Sequence, residues 1–269
     1  MPYTDNIIAV KNLVKRFGDF AAVNDISFNV KERDIFAFLG PNGAGKTTTI
    51  KMLITLLSPT SGSGIVDGRD IVHDASGVRR VIGYVPQMIS VDGTLTAYEN
   101  LMLMARLYDI PSRQRKARIS EMLTFLKLED HSQSLVRTFS GGMIRKLEVG
   151  QAMLHHPRVL FLDEPTTGLD PVAKQSVWEH LQELRSRFGT TIFFSTHNME
   201  EVSDVADQIA IMNAGKIVVT GTVAQLIEKT GKQDATLEDA FIFFTGDILQ
   251  ETGSFRDIKR ARQRENRLR

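Results

Sequence analysis

Gly40-Pro41-Asn42-Gly43-Ala44-Gly45-Lys46-Thr47-Thr48 lies between an apolar run, Ile35 to Leu39, and a helix-forming run, Thr48 to Leu57. Glycines at these places let the backbone curl tightly and turn its N–H groups inward, and the dipole of the following helix adds positive potential at the same point. Such a loop receives phosphate oxygens. Lys46 would reach the β- and γ-phosphates and the Thr47 hydroxyl would ligate Mg²⁺. The segment commits the chain to strand, loop and helix in that order, and hence to an α/β core.

The flanking sequence agrees. β-type alternation runs through Ile7 to Leu13 and again through Ala21 to Val30, with Gly18-Asp19 as a turn between them, which predicts an antiparallel sheet at the N-terminus. Ser58 to Gly62 should stop the helix after the loop, and Val66-Asp67-Gly68-Arg69 reads as a tight turn. A strand over Val81 to Val85 ends at Pro86-Gln87. The period then becomes helical over Thr96 to Tyr108 and Arg113 to Leu128, and the stripe Ile119, Leu123, Leu126 reads as core packing. Val159 to Leu162 is apolar throughout, as in a parallel strand buried on both faces. A helix (Pro171 to Phe188), strand (Thr191 to Ser195), helix (Met199 to Ala206) and strand (Gln208 to Met212) follow, and Asn213-Ala214-Gly215-Lys216 turns into a hairpin.

The 269 residues suffice for one lobed domain with a large core. A formal net charge of +1 supplies no global attraction to nucleic acid or to anionic membrane, and the absence of cysteine excludes disulfides and thiolate metal sites. No apolar run reaches eighteen residues and Met1 to Val10 lacks the pattern of a signal peptide, so the expectation is a cytoplasmic protein that meets a membrane only through a partner.

Asp163-Glu164-Pro165 closes the buried apolar strand. Two adjacent acids there cost several kcal/mol to desolvate unless a cation or a reacting water receives them. Asp163 is assigned to Mg²⁺, directly or through water, and Glu164 to the base that polarises an attacking water.

Over nearly all of residues 7 to 230 the chain now resembles the nucleotide-binding subunits of ABC transporters. Phe139-Ser140-Gly141-Gly142-Met143 is similar to that family's Leu-Ser-Gly-Gly-Gln signature. The resemblance implies ATP and Mg²⁺ as cofactors and a P-loop (RecA-like), mostly parallel sheet core with an N-terminal antiparallel β subdomain and an inserted helical subdomain. It implies a nucleotide-binding domain over residues 1–230, with helical residues near 88–156, and a C-terminal extension over residues 231–269. Ser140, Gly141 and Gly142 would meet the γ-phosphate of ATP held on a second subunit. Gln87 resembles the lid glutamine that senses Mg²⁺ and water, Asp170 in Gly168-Leu169-Asp170 the acid of the loop crossing the dimer interface, and His197 the switch histidine on the γ-phosphate. Phe17 stands where the family stacks an aromatic ring on adenine, and Phe20 is a possible substitute. The remaining histidines, His73, His131, His155, His156 and His180, read as structural.

Phe139, Met143 and Arg33-Asp34 depart from the common family residues. Met143, with Arg145-Lys146-Leu147-Glu148 behind it, resembles the exporter branch that includes daunorubicin-resistance ATPases, as does Thr236 to Phe241. Leu237, Ala240, Phe241 and Phe244 share one helical face, which predicts a docked helix. The resemblance implies a dimer of nucleotide-binding subunits, of two copies or of one copy with a related chain, driving a separate transmembrane permease that meets the helical insert near Thr96 to Leu128. The unit would lie on the cytoplasmic face of the cell membrane. Drugs, lipids, polysaccharides and ions all stay open as cargo, and no nucleic-acid partner is expected. Arg256, Lys259, Arg260, Arg262, Arg264, Arg267 and Arg269 crowd the end of the chain, as a solvated tail or as a contact to anionic headgroups or an acidic partner. The rival readings are a soluble ATPase of the same family acting on DNA or ribosomes, a phosphate-loop kinase or GTPase, and a binder without turnover. The first lacks its usual coiled-coil insertion or doubled unit, and no Asn-Lys-x-Asp segment marks a GTPase.

Overall fold

In the computed structural model, residues 6–251 are described; the basic segment Arg256 to Arg269 lies outside them. Asn6–Phe17 (β1) and Phe20–Lys31 (β2) form the expected antiparallel pair, extended by Ser61–Val66 (β4) and Arg69–Asp70 (β5) in the order β2-β1-β4-β5. Ile35–Leu39 (β3) instead enters a second sheet with Ile82–Val85 (β6), Val159–Asp163 (β7), Thr191–Thr196 (β8), Gln208–Asn213 (β9) and Lys216–Gly221 (β10). Its order is β10-β9-β3-β8-β7-β6, parallel from β9 to β6 and antiparallel only at β10.

The period of two explains how this sheet is buried on both faces. Ala37, Leu39, Leu160, Leu162, Ile192 and Phe194 face one apolar cluster, while Phe36, Phe38, Val159, Phe161 and Phe193 face the other. On the second face Phe28 from the antiparallel sheet joins Phe36, Phe38 and Phe193, with ring centroids 4.9 to 6.1 Å apart. These rings fasten the two sheets together, and removing one would cost about 3–5 kcal/mol.

Helices fill the connections: Lys46–Leu53 (α1) after β3, Ala75–Val81 (α2) before β6, and Ala97–Leu107 (α3), Ser112–Phe125 (α4) and Gly141–Met153 (α5) between β6 and β7. Pro171–Phe188 (α6), Met199–Val205 (α7), Val223–Glu228 (α8) and Leu237–Glu251 (α9) follow within the described residues. The periodicity did not predict α2 or α8, each of seven residues or fewer. On α9, Leu237 and Ala240 are buried in the first cluster and Phe241 and Phe244 pack against it, so the expected face is docked.

Two helices end earlier than their apolar pattern. α1 stops at Leu53 rather than Leu57, because Thr55 turns left-handed (φ 66°), its N–H donates to Met52 O and the Leu56 N–H donates to Lys51 O. α4 stops at Phe125 rather than Leu128 in the same way, with Lys127 at φ 56° and the Leu128 N–H on Leu123 O. Both are Schellman closures made without glycine or asparagine. Among the described residues no helix is long and apolar enough to cross a membrane.

Candidate functional site

β3 delivers Gly40 to the edge of the sheet, where its N–H donates to Thr196 O at the end of the neighbouring β8 (3.2 Å). A Cβ on Gly40 would collide with the Met212 carbonyl, and one on Gly45 would lie 2.5 Å from Ala22 O at φ 104°. Two strands therefore crowd the loop from either side, and only glycine fits. Gly45 precedes α1 without any side-chain cap, leaving the first N–H groups of the helix to a ligand.

Lys46 is 5% exposed, and its Nζ donates to Gly40 O (2.7 Å) and Pro41 O (3.2 Å) while standing 3.4 Å from Glu164 Oε1. Burial pushes its pKa down, and the Glu164 carboxylate partly offsets this. The Thr47 hydroxyl donates to Asp163 Oδ1 (2.9 Å), which also accepts from the Ser195 hydroxyl (2.6 Å). This is an all-oxygen set of one carboxylate and two hydroxyls. One carboxylate and one hydroxyl suit Mg²⁺, which keeps several waters and takes phosphate oxygens for the rest.

Glu164 leaves β7 in a left-handed conformation (φ 51°) that costs a non-glycine residue about 1–2 kcal/mol. Its N–H is held by Ser195 O (3.1 Å) and Ser195 Oγ (3.2 Å). The turn sends its carboxylate back over the phosphate loop. There Oε2 accepts from His197 Nδ1 (2.8 Å) and from the Thr167 hydroxyl (3.2 Å). A carboxylate only accepts, so Nδ1 carries the proton.

Phe17, Phe20, Ala22, residues 42–48, Gln87 and Glu164 line one cavity of about 540 Å³. Phe17 and Phe20 flank the Gly18-Asp19 turn and are 52% and 66% exposed, so both candidate aromatics are available there. Gly40, Pro41, Asp163 and His197 adjoin it through Lys46, Thr47 and Glu164, whereas Ser140, Gly141, Gly142 and Asp170 are not in its lining. Ser140 caps α5, accepting from the Met143 N–H (3.3 Å), and Asp170 caps α6, accepting from the Ala173 N–H (2.9 Å). These two helix starts are neighbours: a Cβ on Gly142 would lie 3.0 Å from Ala173 Cβ, and one on Gly141 3.2 Å from Leu169. The single chain thus carries a glycine loop ahead of an uncapped helix and, separately, an exposed helix end capped by Ser140.

Sequence reasoning missed Ser195 and Thr167, which hold the two acids; only the fold brings β8 and the loop after β7 together. It also gave no structural role to Arg145 and Glu148, which form a buried pair.

Residues 23–167 match the model of the ABC transporter family. A daunorubicin resistance ATP-binding protein of Streptomyces coeruleorubidus is 39% identical over 238 residues, 88% of this chain and 75% of that one. A Nod factor export ATP-binding protein of Burkholderia orbicola is 40% identical over 221 residues, 82% and 72% of the two chains. Among solved structures, an ATP-binding subunit of an ABC transporter superposes with a TM-score of 0.79 at 29% identity, covering 89% of this chain and 99% of that one.

Proposed function

The chain belongs to the ABC transporter family as an ATP-binding, ATP-hydrolysing subunit of the drug-exporter branch, and on that premise we propose how its residues divide the work. The observation that carries the reading is the Glu164 carboxylate held between Lys46 Nζ and His197 Nδ1 over the glycine loop.

ATP would enter the 540 Å³ cavity with its phosphates on residues 40–48 and its adenine against Phe17 or the adjacent Phe20. Lys46 exchanges backbone carbonyls and Glu164 for the β- and γ-phosphate oxygens. Thr47 and Asp163, with Gln87 through water, would hold Mg²⁺, which supplies charge neutralisation along the phosphates. Glu164, released from Lys46, polarises the attacking water, and His197 keeps its carboxylate aimed.

Ser140, Gly141 and Gly142 serve the ATP of a second subunit: the α5 N-terminus is exposed and charge-free, and it has no phosphate loop facing it within the chain. Asp170 crosses the same interface beside them. A closed pair thus sandwiches two nucleotides and reopens after hydrolysis. Residues 88–156 meet a membrane permease, which selects the cargo, and the subunit works on the cytoplasmic face. The relatives named for daunorubicin resistance and Nod factor export support export of drug-like, lipid or saccharide cargo.

Glu164→Gln tests the assignment, because the amide keeps the shape and cannot act as base. The expected result is ATP binding retained, hydrolysis reduced at least about a hundredfold and a nucleotide-dependent dimer on sizing. Turnover at the wild-type rate would remove Glu164 from the chemistry.

A further inference from the structure

α5 carries a buried polar stripe at Arg145, Glu148 and Gln151, one helical face that the ATP site described above does not use. Arg145 is 5% exposed and donates from Nη1 to Pro86 O (2.9 Å) and from Nη2 to Gln87 O (3.3 Å). Glu148 is 2% exposed; its Oε1 accepts from the Ser90 N–H (2.6 Å) and the Ser90 hydroxyl (2.9 Å), and its Oε2 lies 3.0 Å from Arg145 Nη1. Gln151 continues the stripe to Asn100, which itself bonds Asp92.

The pair therefore grips a five-residue loop, Pro86 to Ser90, at both ends and mainly by its backbone. Between the grips Gln87 lines the nucleotide cavity, while Met88 and Ile89 stand 82% and 66% exposed. The loop springs from β6, which is seated on the same helix: a Cβ on Gly83 would strike the Ala152 carbonyl. At its other end α5 begins with Ser140, about 8 Å of helix away from Arg145. A buried ion pair is weak evidence for stability, because desolvation offsets the attraction. Its geometry assigns it a different use, since every remaining bond of the pair goes to this one loop.

We propose that Arg145 and Glu148 are positioning residues that fasten the Gln87 loop to α5, so that Gln87 in one ATP site and Ser140 toward the partner's ATP move as one body. The inference rests on Gln87 and Ser140 both meeting nucleotide, as proposed above. Without the pair, Gln87 still enters the cavity on its strand, but its place no longer fixes the tilt of α5.

The test is a double-mutant cycle on ATP hydrolysis by the full chain. Arg145→Met/Glu148→Leu replaces the pair by apolar side chains of similar volume; it leaves Pro86 O, Gln87 O and the Ser90 N–H without these partners, so its melting temperature is read beside its kinetics. The expected result is a kcat lowered about tenfold with KM for ATP within about twofold, because the phosphate loop is untouched. Gln87→Ala should cost about tenfold alone and less than about twofold in the apolar background, since the pair acts through that loop. Wild-type kcat in the apolar variant, or a Gln87→Ala effect that multiplies in full, overturns the proposal.

Glu148→Gln is the second variant: it keeps the side-chain shape and an acceptor for Ser90 but leaves the buried Arg145 guanidinium without its counter-charge, which lowers the melting temperature. Below that melting transition kcat is expected to fall with KM for ATP within about twofold, and a loss of ATP affinity matching the loss of rate would overturn the proposal. Absence of hydrolysis in the wild type, or full hydrolysis in Glu164→Gln, would instead refute the ATPase roles on which it rests.

Discussion

Glu164 illustrates how little of a residue's chemistry is local. Its carboxylate is placed by a left-handed φ of 51°, anchored through Ser195 on another strand and bracketed by Lys46 and His197 from two further segments. The sequence shows that an acid follows a buried strand, and so that it needs a partner; the partners come from residues up to 118 positions away. His155 makes the complementary point. Its Nε2 bonds Ile82 O at 2.9 Å, its ring stacks on Tyr108 with centroids 3.8 Å apart, and burial pushes its pKa down to about 4. Between the ordinary value of 6.5 and about 4 the unfolded chain binds a proton that the folded chain refuses, so stability falls as pH falls through that window. The loss is at most about 3 kcal/mol. Thermal melting of His155→Gln against wild type from neutral pH to about pH 4.5 should show the variant losing less stability on acidification; parallel curves would mean that His155 is protonated in the fold.

At the scale of elements, the strands were legible because one-sided burial writes a period of two into β1 and β2, and burial on both faces writes an unbroken apolar run into β3 and into Val159 to Leu162 of β7. Helix ends were not. α1 and α4 close with threonine and lysine in the left-handed position, so the chain stops turning where composition gives no sign. The closures are stabilised by burying Leu57 and Leu128 beside the helices they follow. Helix starts matter more for function. α5 and α6 begin side by side, and Gly142 leaves Ala173 only enough room for its own backbone. Gly142→Val should push these two starts apart. Hydrolysis is expected to fall at least about tenfold with ATP affinity of the isolated chain within about twofold, because the cradle at residues 40–48 is remote from the change. Equal loss of affinity and rate, read from nucleotide titration beside steady-state kinetics, would place the glycine in the cradle's own site.

Across the whole molecule, the parallel sheet separates two apolar layers and presents the residues proposed to hold nucleotide along the carboxyl ends of β3, β7 and β8. α9 belongs to the first of those layers, with Leu237 4% exposed and Ala240 fully buried. Leu237→Ala should therefore lower the stability of the entire domain by about 2–4 kcal/mol in a single denaturant transition. A separate early transition would show that the C-terminal segment folds as an appendage.

The sequence by itself determined the fold class and the family, because the steric freedom of the glycine loop at residues 40–48, the apolar period and the acids that close a buried strand are properties of short segments. Only the tertiary structure decided that Ser195 holds Asp163, that Arg145 and Glu148 are buried on the Gln87 loop, and that the Ser140 cap stands apart from the glycine loop. Those relations join segments far apart in the chain, and which of them meet is fixed by how strands order themselves in the sheet and how helices pack on its two faces.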